Sequence, residues 1–83
     1  MDSEATETHS HEIRYFVNGE QQLTHHASLR VGEILDDAGF RPVHEYELTR
    51  DADGHTYTHY DQEVHLHENE RFTATYIGPT PVS

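Results

Sequence analysis

Val31-Gly-Glu-Ile-Leu-Asp-Asp-Ala-Gly39, with Phe40 behind it, decides how the chain is read. Val31, Ile34, Leu35 and Ala38 stand at i, i+3, i+4 and i+7, an apolar stripe of helical period. Gly39 follows at once, where helices commonly close on a left-handed residue. Gly32 costs a helix roughly 1 kcal/mol relative to alanine, which points to a short helix or a close neighbour. Ser28 is placed to cap the helix, with Leu29 packed beneath its first turn. The other apolar runs alternate with period two, so the pattern is one helix among strands.

Before the helix, Glu12-Ile-Arg-Tyr-Phe-Val17 reads as a strand with Ile13, Tyr15 and Val17 on one face. Asn18-Gly19 is a strong hairpin signal, because both residues tolerate positive φ. The return strand over 20–25 is polar, reads as a blunted edge and is expected to carry only Leu23 inward. After the helix, Arg41-Pro42 turns the chain, and His44–Arg50 is a third strand with Tyr46 and Leu48 inward. Asp51–Gly54 is a turn, and Tyr57 marks a short fourth strand. A looser stretch over 60–70 offers Val64 and Leu66 for burial. Arg71–Ile77 is the last strand, with Phe72, Ala74 and Tyr76 on one face. If the first and last strands are central and parallel, the helix must cross over between them.

The result is one small α+β domain over residues 12–77, a mixed sheet of four to five strands with one helix packed on one face. All apolar residues except Met1, Ala5 and Val82 fall within that segment. Residues 1–11 are polar and acidic and are expected to form a disordered tail. Residues 78–83 are expected to be a flexible tail, since two prolines prevent a strand from continuing.

Taken together, Ile13-Arg-Tyr-Phe-Val-Asn-Gly19, Val31–Gly39, Glu45-Tyr-Glu-Leu48 and Glu70-Arg-Phe72 resemble the bacterial multiubiquitin-type domains, a ubiquitin-like branch of the β-grasp superfamily. The resemblance spans residues 12–77. It implies a five-stranded sheet that holds one helix in its concave face. It also implies a bacterial ubiquitin-like modifier, with E1-like activating enzymes, E2-like carrier proteins and JAB-type peptidases as partners, in systems some of which act in antiphage defence. Three features depart from that pattern. The domain is present once, Gly78 is followed by Pro-Thr-Pro-Val-Ser83 rather than ending a Gly-Gly tail, and there is no lysine to carry self-linked chains. The competing function is a non-covalent adaptor that keeps its tail intact, with a histidine-based metal binder as a third reading.

Charge and composition narrow the field further. A formal charge of −11 and five scattered arginines argue against nucleic-acid binding, which needs clustered cations to neutralise phosphates. Without cysteine there are no disulfides and no thiolate chemistry. Lacking a membrane-spanning run or a recognisable signal peptide, the protein is expected in the cytoplasm. Protonating all nine histidines would move the formal charge from −11 to −2, so poor solubility is expected near pH 5.

For partner binding, Phe16 and Ile77 project away from the core phase of their strands. Arg14 and Arg71 are expected to flank them on the open face of the sheet. Gly78 is the candidate point of tail processing and conjugation. His65 and His67 share a strand face, and His55 and His59 lie around Tyr57, a donor set suited to zinc only if the segments adjoin. Solvent-exposed histidines are the simpler reading, and no metal or other cofactor is expected. Asp51–Gly54 fails as a calcium loop, since Gly54 at loop position six puts Thr49 and Tyr60 where acidic ligands belong. No serine falls on a rigid element beside a base, and Glu33, Asp36 and Asp37 read as a solvated helix face, so the protein is not expected to be an enzyme.

Overall fold

A computed structural model describes residues 12–79; the acidic segment expected over 1–11 and the tail residues 80–83 lie outside the described residues. Strand β1 (Ile13–Val17) turns through Asn18 and Gly19, at φ 53° and 82°, into β2 (Glu20–Thr24). A three-residue strand β3 (Ser28–Arg30) leads directly into helix α1 (Val31–Asp37). A 3-10 turn over Val43–Glu45 opens β4 (Tyr46–Arg50), followed by β5 (His55–Tyr57), β6 (Glu63–His65) and β7 (Glu70–Tyr76).

Five of these strands make one mixed sheet in the order β2-β1-β7-β4-β5. Strands β1 and β7 run parallel at its centre, with Val17 opposite Phe72, and the other neighbours are antiparallel. The Asn18 side chain lengthens the central pairing. Its amide donates to the Ala74 carbonyl (3.2 Å) while its oxygen accepts from the Ala74 N–H (2.9 Å). Asn18 thus serves the turn and the ladder at once. The crossover from β1 to β7 carries the helix, as a parallel central pair requires.

Helix α1 buries Val31, Ile34 and Leu35 against Tyr15, Val17, Leu48, Tyr57, Phe72 and Ala74 of the sheet. Its C-terminus closes as a Schellman motif: Phe40 N–H donates to the Leu35 carbonyl, and Gly39 N–H to that of Asp36, with Gly39 at φ 91°. Both readings of Gly32 hold. The helix is seven residues long, and the Gly32 N–H donates to the Tyr60 carbonyl at 2.9 Å, close enough that a β-carbon would meet that oxygen at 3.3 Å. A five-stranded mixed sheet with one helix on one face is a small α+β architecture, compatible with a β-grasp.

Three local expectations are corrected. Ser28 does not cap the helix; it starts β3, and the Glu33 carboxylate reaches back to the Arg30 N–H at 2.8 Å to satisfy that end. Leu23 does not face the core. The two-residue turn pairs Val17 with Glu20, which puts Leu23 opposite Arg14 on the outer face, 53% exposed. The stretch over 60–70 is more ordered than its composition suggests. Strand β6 pairs with β3 in a second, two-stranded sheet that buries Leu29 and Val64, with Leu66 buried just beyond it.

Candidate functional site

The face of the large sheet opposite the helix is set by strand parity. Arg14 and Phe16 on β1, Gln21 and Leu23 on β2, Arg71, Thr73 and Thr75 on β7, Glu47 and Thr49 on β4, and Thr56 on β5 all fall on it. Phe16 pairs directly with Arg71 in the parallel ladder, and the Arg71 guanidinium carbon sits 4.6 Å from the centre of the Phe16 ring. Such stacking is worth roughly 0.5–1 kcal/mol at an exposed site and leaves the guanidinium edge open to an acceptor. Leu23 lies diagonally across the hairpin from Phe16, about 7 Å away by sheet geometry.

The two arginines are in different states. Arg14 is engaged: its Nε and its backbone N–H donate to the two carboxylate oxygens of Glu68, at 3.3 and 3.2 Å. Arg71 has no carboxylate partner among the described residues. It is thus the cation on this face able to accept a new anionic group without breaking an existing pair.

The structure brings Phe16, Arg71 and Arg14 together and leaves Ile77 out. Ile77 lies six residues beyond Arg71, about 20 Å along a strand, past the end of β7. Its place beside Phe16 is taken by Leu23, which inward-outward counting through the Asn18-Gly19 turn would have found. Ile77 belongs to a different neighbourhood, where its N–H donates to the Glu45 carbonyl at 2.7 Å. The rest of the open face is polar, with Gln21, Glu47 and four threonines; the Thr49 and Thr56 hydroxyls lie 2.9 Å apart and Thr73 donates to Asp51 at 2.7 Å. The apolar part of the face is therefore small and off-centre.

Gly78 and the exit of the C-terminal segment lie beside the start of β4. Tyr46 packs edge-on against Phe40 and Tyr76, with ring centres 5.2 and 5.4 Å apart. The Tyr76 hydroxyl donates to the Pro79 carbonyl at 2.8 Å. Tyr76 shares the face of Phe72 and Ala74, as the strand phase predicts, yet it is 45% exposed, because the core ends at Ala74. Desolvation first, and then the Glu45 carboxylate, hold its phenol above the ordinary value of 10.

The candidate ligand histidines fall into separate pairings. The His65 and His67 rings touch edge to face at 5.3 Å, whereas His55 rests on Tyr57 at 4.7 Å. Among the described residues no three histidine or acidic side chains form a group that could hold a metal ion. No helix among them is long and apolar enough to cross a membrane. The Asp51–Gly54 turn is held by its own acid: Asp53 accepts from Arg50 Nη2 at 2.9 Å and from the His55 N–H at 3.1 Å, and its carboxyl is lowered to about 2, chiefly by the Arg50 bond.

No family model, curated protein or solved structure matches the chain.

Proposed function

We propose that the chain is a ubiquitin-like β-grasp domain that works by being bound, as a bacterial ubiquitin-like modifier. The observation that carries this reading is the Phe16–Arg71 stack with Leu23 beside it. It forms an apolar and cationic recognition point on the open sheet face, beside the N-terminal end of the central strand β7. Activating and carrier proteins of the E1-like and E2-like kinds would read that face. The segment leaving the other end of β7 through Gly78 would enter their active site after a JAB-type peptidase trims it.

The second reading is a non-covalent adaptor with its C-terminal segment intact. It is favoured by the surroundings of Gly78, where a β-carbon would stand 2.7 Å from the Tyr76 hydroxyl oxygen and 3.0 Å from the Glu45 β-carbon. That crowding gives the glycine a packing role unrelated to conjugation.

Intact-mass measurement of the protein recovered from its native cells, with a blot beside it, tests the choice. A mass ending at Gly78 or a ladder of heavier species supports the modifier. A single species at the full 9.6 kDa refutes it and leaves the adaptor. In either case Phe16→Ala with Arg71→Glu is expected to abolish partner association while the circular-dichroism spectrum stays unchanged.

A further inference from the structure

Three contacts hold the chain between Tyr76 and Pro79 against the body of the domain. The Ile77 N–H donates to the Glu45 carbonyl at 2.7 Å, so the backbone remains attached to the 3-10 turn after β7 has ended. The Tyr76 ring, supported edge-on by Tyr46, folds over the chain that follows it. Its hydroxyl then reaches the Pro79 carbonyl at 2.8 Å, closing the chain into a loop around Ile77 and Gly78.

Gly78 fits beneath that ring because it has no side chain. A β-carbon there would come within 2.7 Å of the phenol oxygen and 2.8 Å of its ring carbon. Gly78 is not among the glycines at positive φ, in contrast to Gly19, Gly39 and Gly54. Its requirement is therefore steric: the backbone must pass close under an aromatic ring.

We infer that Tyr76 and Gly78 form a latch that holds residues 77–79 against the start of β4 and regulates access to the Gly78–Pro79 peptide bond. The inference deepens the modifier reading and rests on it for its biological consequence. Hydrolysis at that bond adds water across it, leaving a carboxylate on Gly78 and a protonated amine on Pro79. A peptidase needs the chain on both sides of the bond extended in its cleft. In the latched state the Pro79 carbonyl is turned back onto Tyr76, so the latch must open before the segment is processed. A partner that displaced the Tyr76 ring would thereby couple its own binding to exposure of the bond.

The latch is weak enough to open. A single exposed neutral hydrogen bond shifts an equilibrium by about 3- to 10-fold, so the open form is a minor but accessible population. Tyr76 acts as a positioning residue and touches no reacting atom.

The test is amide hydrogen exchange on the full chain, read at Ile77 with Leu48 as the core reference. Tyr76→Phe keeps the ring and removes the donor; exchange at Ile77 is expected to rise about 3- to 10-fold with Leu48 unchanged. Gly78→Ala forces the ring away and is expected to raise it at least as much. Unchanged exchange at Ile77 in both variants overturns the latch. A rise shared equally by Leu48 also overturns it, because the effect would then be global. Neither result bears on the modifier reading, which is decided by the mass of the protein from cells.

Discussion

Tyr15 sits in the core at 1% exposure, packed edge-on against Phe72 with ring centres 6.1 Å apart, and its hydroxyl makes no hydrogen bond to any described residue. A buried hydroxyl without a partner costs about 1–3 kcal/mol. Tyr15→Phe keeps the ring and removes that cost, so the variant is expected to be more stable at pH 7 by about 1 kcal/mol, or about 5 °C in Tm for a domain of this size. Burial, with a smaller contribution from the Asp37 carboxylate, also pushes the Tyr15 phenol up to about 12 from 10. A raised phenol binds its proton more tightly in the folded state than in the unfolded one. Its contribution is therefore complete below pH 10 and is lost as pH rises from 10 through 12. Two units correspond to about 2–3 kcal/mol, so the advantage of Tyr15→Phe should widen by that order across the window. The absence of lysine makes the window clean, since tyrosines dominate the titration there and the raised Tyr57 and Tyr76 are common to both proteins. Thermal unfolding followed by circular dichroism at pH 7, 10 and 11.5 measures both quantities. A variant less stable at pH 7, or a gap that stays constant up to pH 11.5, would refute the reasoning.

Other expectations follow from single residues. Gly39→Ala places a side chain at φ 91° and should destabilise by about 1–2 kcal/mol in a chemical melt, whereas no space constraint opposes it. In an NMR titration Asp53 should reach its midpoint near pH 2, and Arg50→Gln should move it back toward 3.8, since the Arg50 bond is the leading cause; the stability it adds is present above 3.8 and lost as pH falls through 2. Leu23→Ser should change stability by less than about 0.5 kcal/mol, because the residue is 53% exposed, yet it should weaken partner association along with Phe16→Ala. Turbidity should appear as pH falls from 7 toward 5, as the net charge shrinks from −11 and repulsion collapses; a clear solution down to pH 4.5 would contradict this.

What could be read from the chain was what the backbone period dictates. The helix over Val31–Asp37, the Asn18-Gly19 hairpin and the Asp51–Gly54 turn each depend on a local signal strong enough to survive any packing, whereas the parallel pairing of the first and last strands entered only as a condition that the helical crossover allows. The β3–β6 pair was not legible, since three-residue strands show too little alternation and their pairing spans more than thirty residues. The helix start was not decided by residue type, because two groups could satisfy its amides. Ser28 is the commoner cap type, but Glu33 at the third helical position prevails by reaching back to Arg30. Leu23 was misplaced for a different reason: hydrophobicity favoured the inside, whereas the turn's register had already assigned it outward. On the candidate face, the outward phase of Phe16 and Arg71 was legible, but their direct pairing depends on the parallel register of β1 and β7, and the distance of Ile77 from them was a matter of counting along β7.

The same geometry changes how the C-terminal glycine and the net charge bear on function. A glycine just past the last strand suggests a conjugation terminus, but here it has a structural cause of its own in the Tyr76 ring. It therefore carries weight for conjugation only if the latch also opens in cells. Charge works in the opposite direction. At −11 the whole molecule steers toward basic surfaces, yet the open face presents Arg71 over Phe16 with no carboxylate partner among the described residues, while Arg14 is already held by Glu68. Long-range attraction and short-range recognition thus favour different groups on a partner. The surface that satisfies both is basic overall and places one carboxylate opposite Arg71. Restoring binding of Arg71→Glu by reversing that one partner charge would identify it.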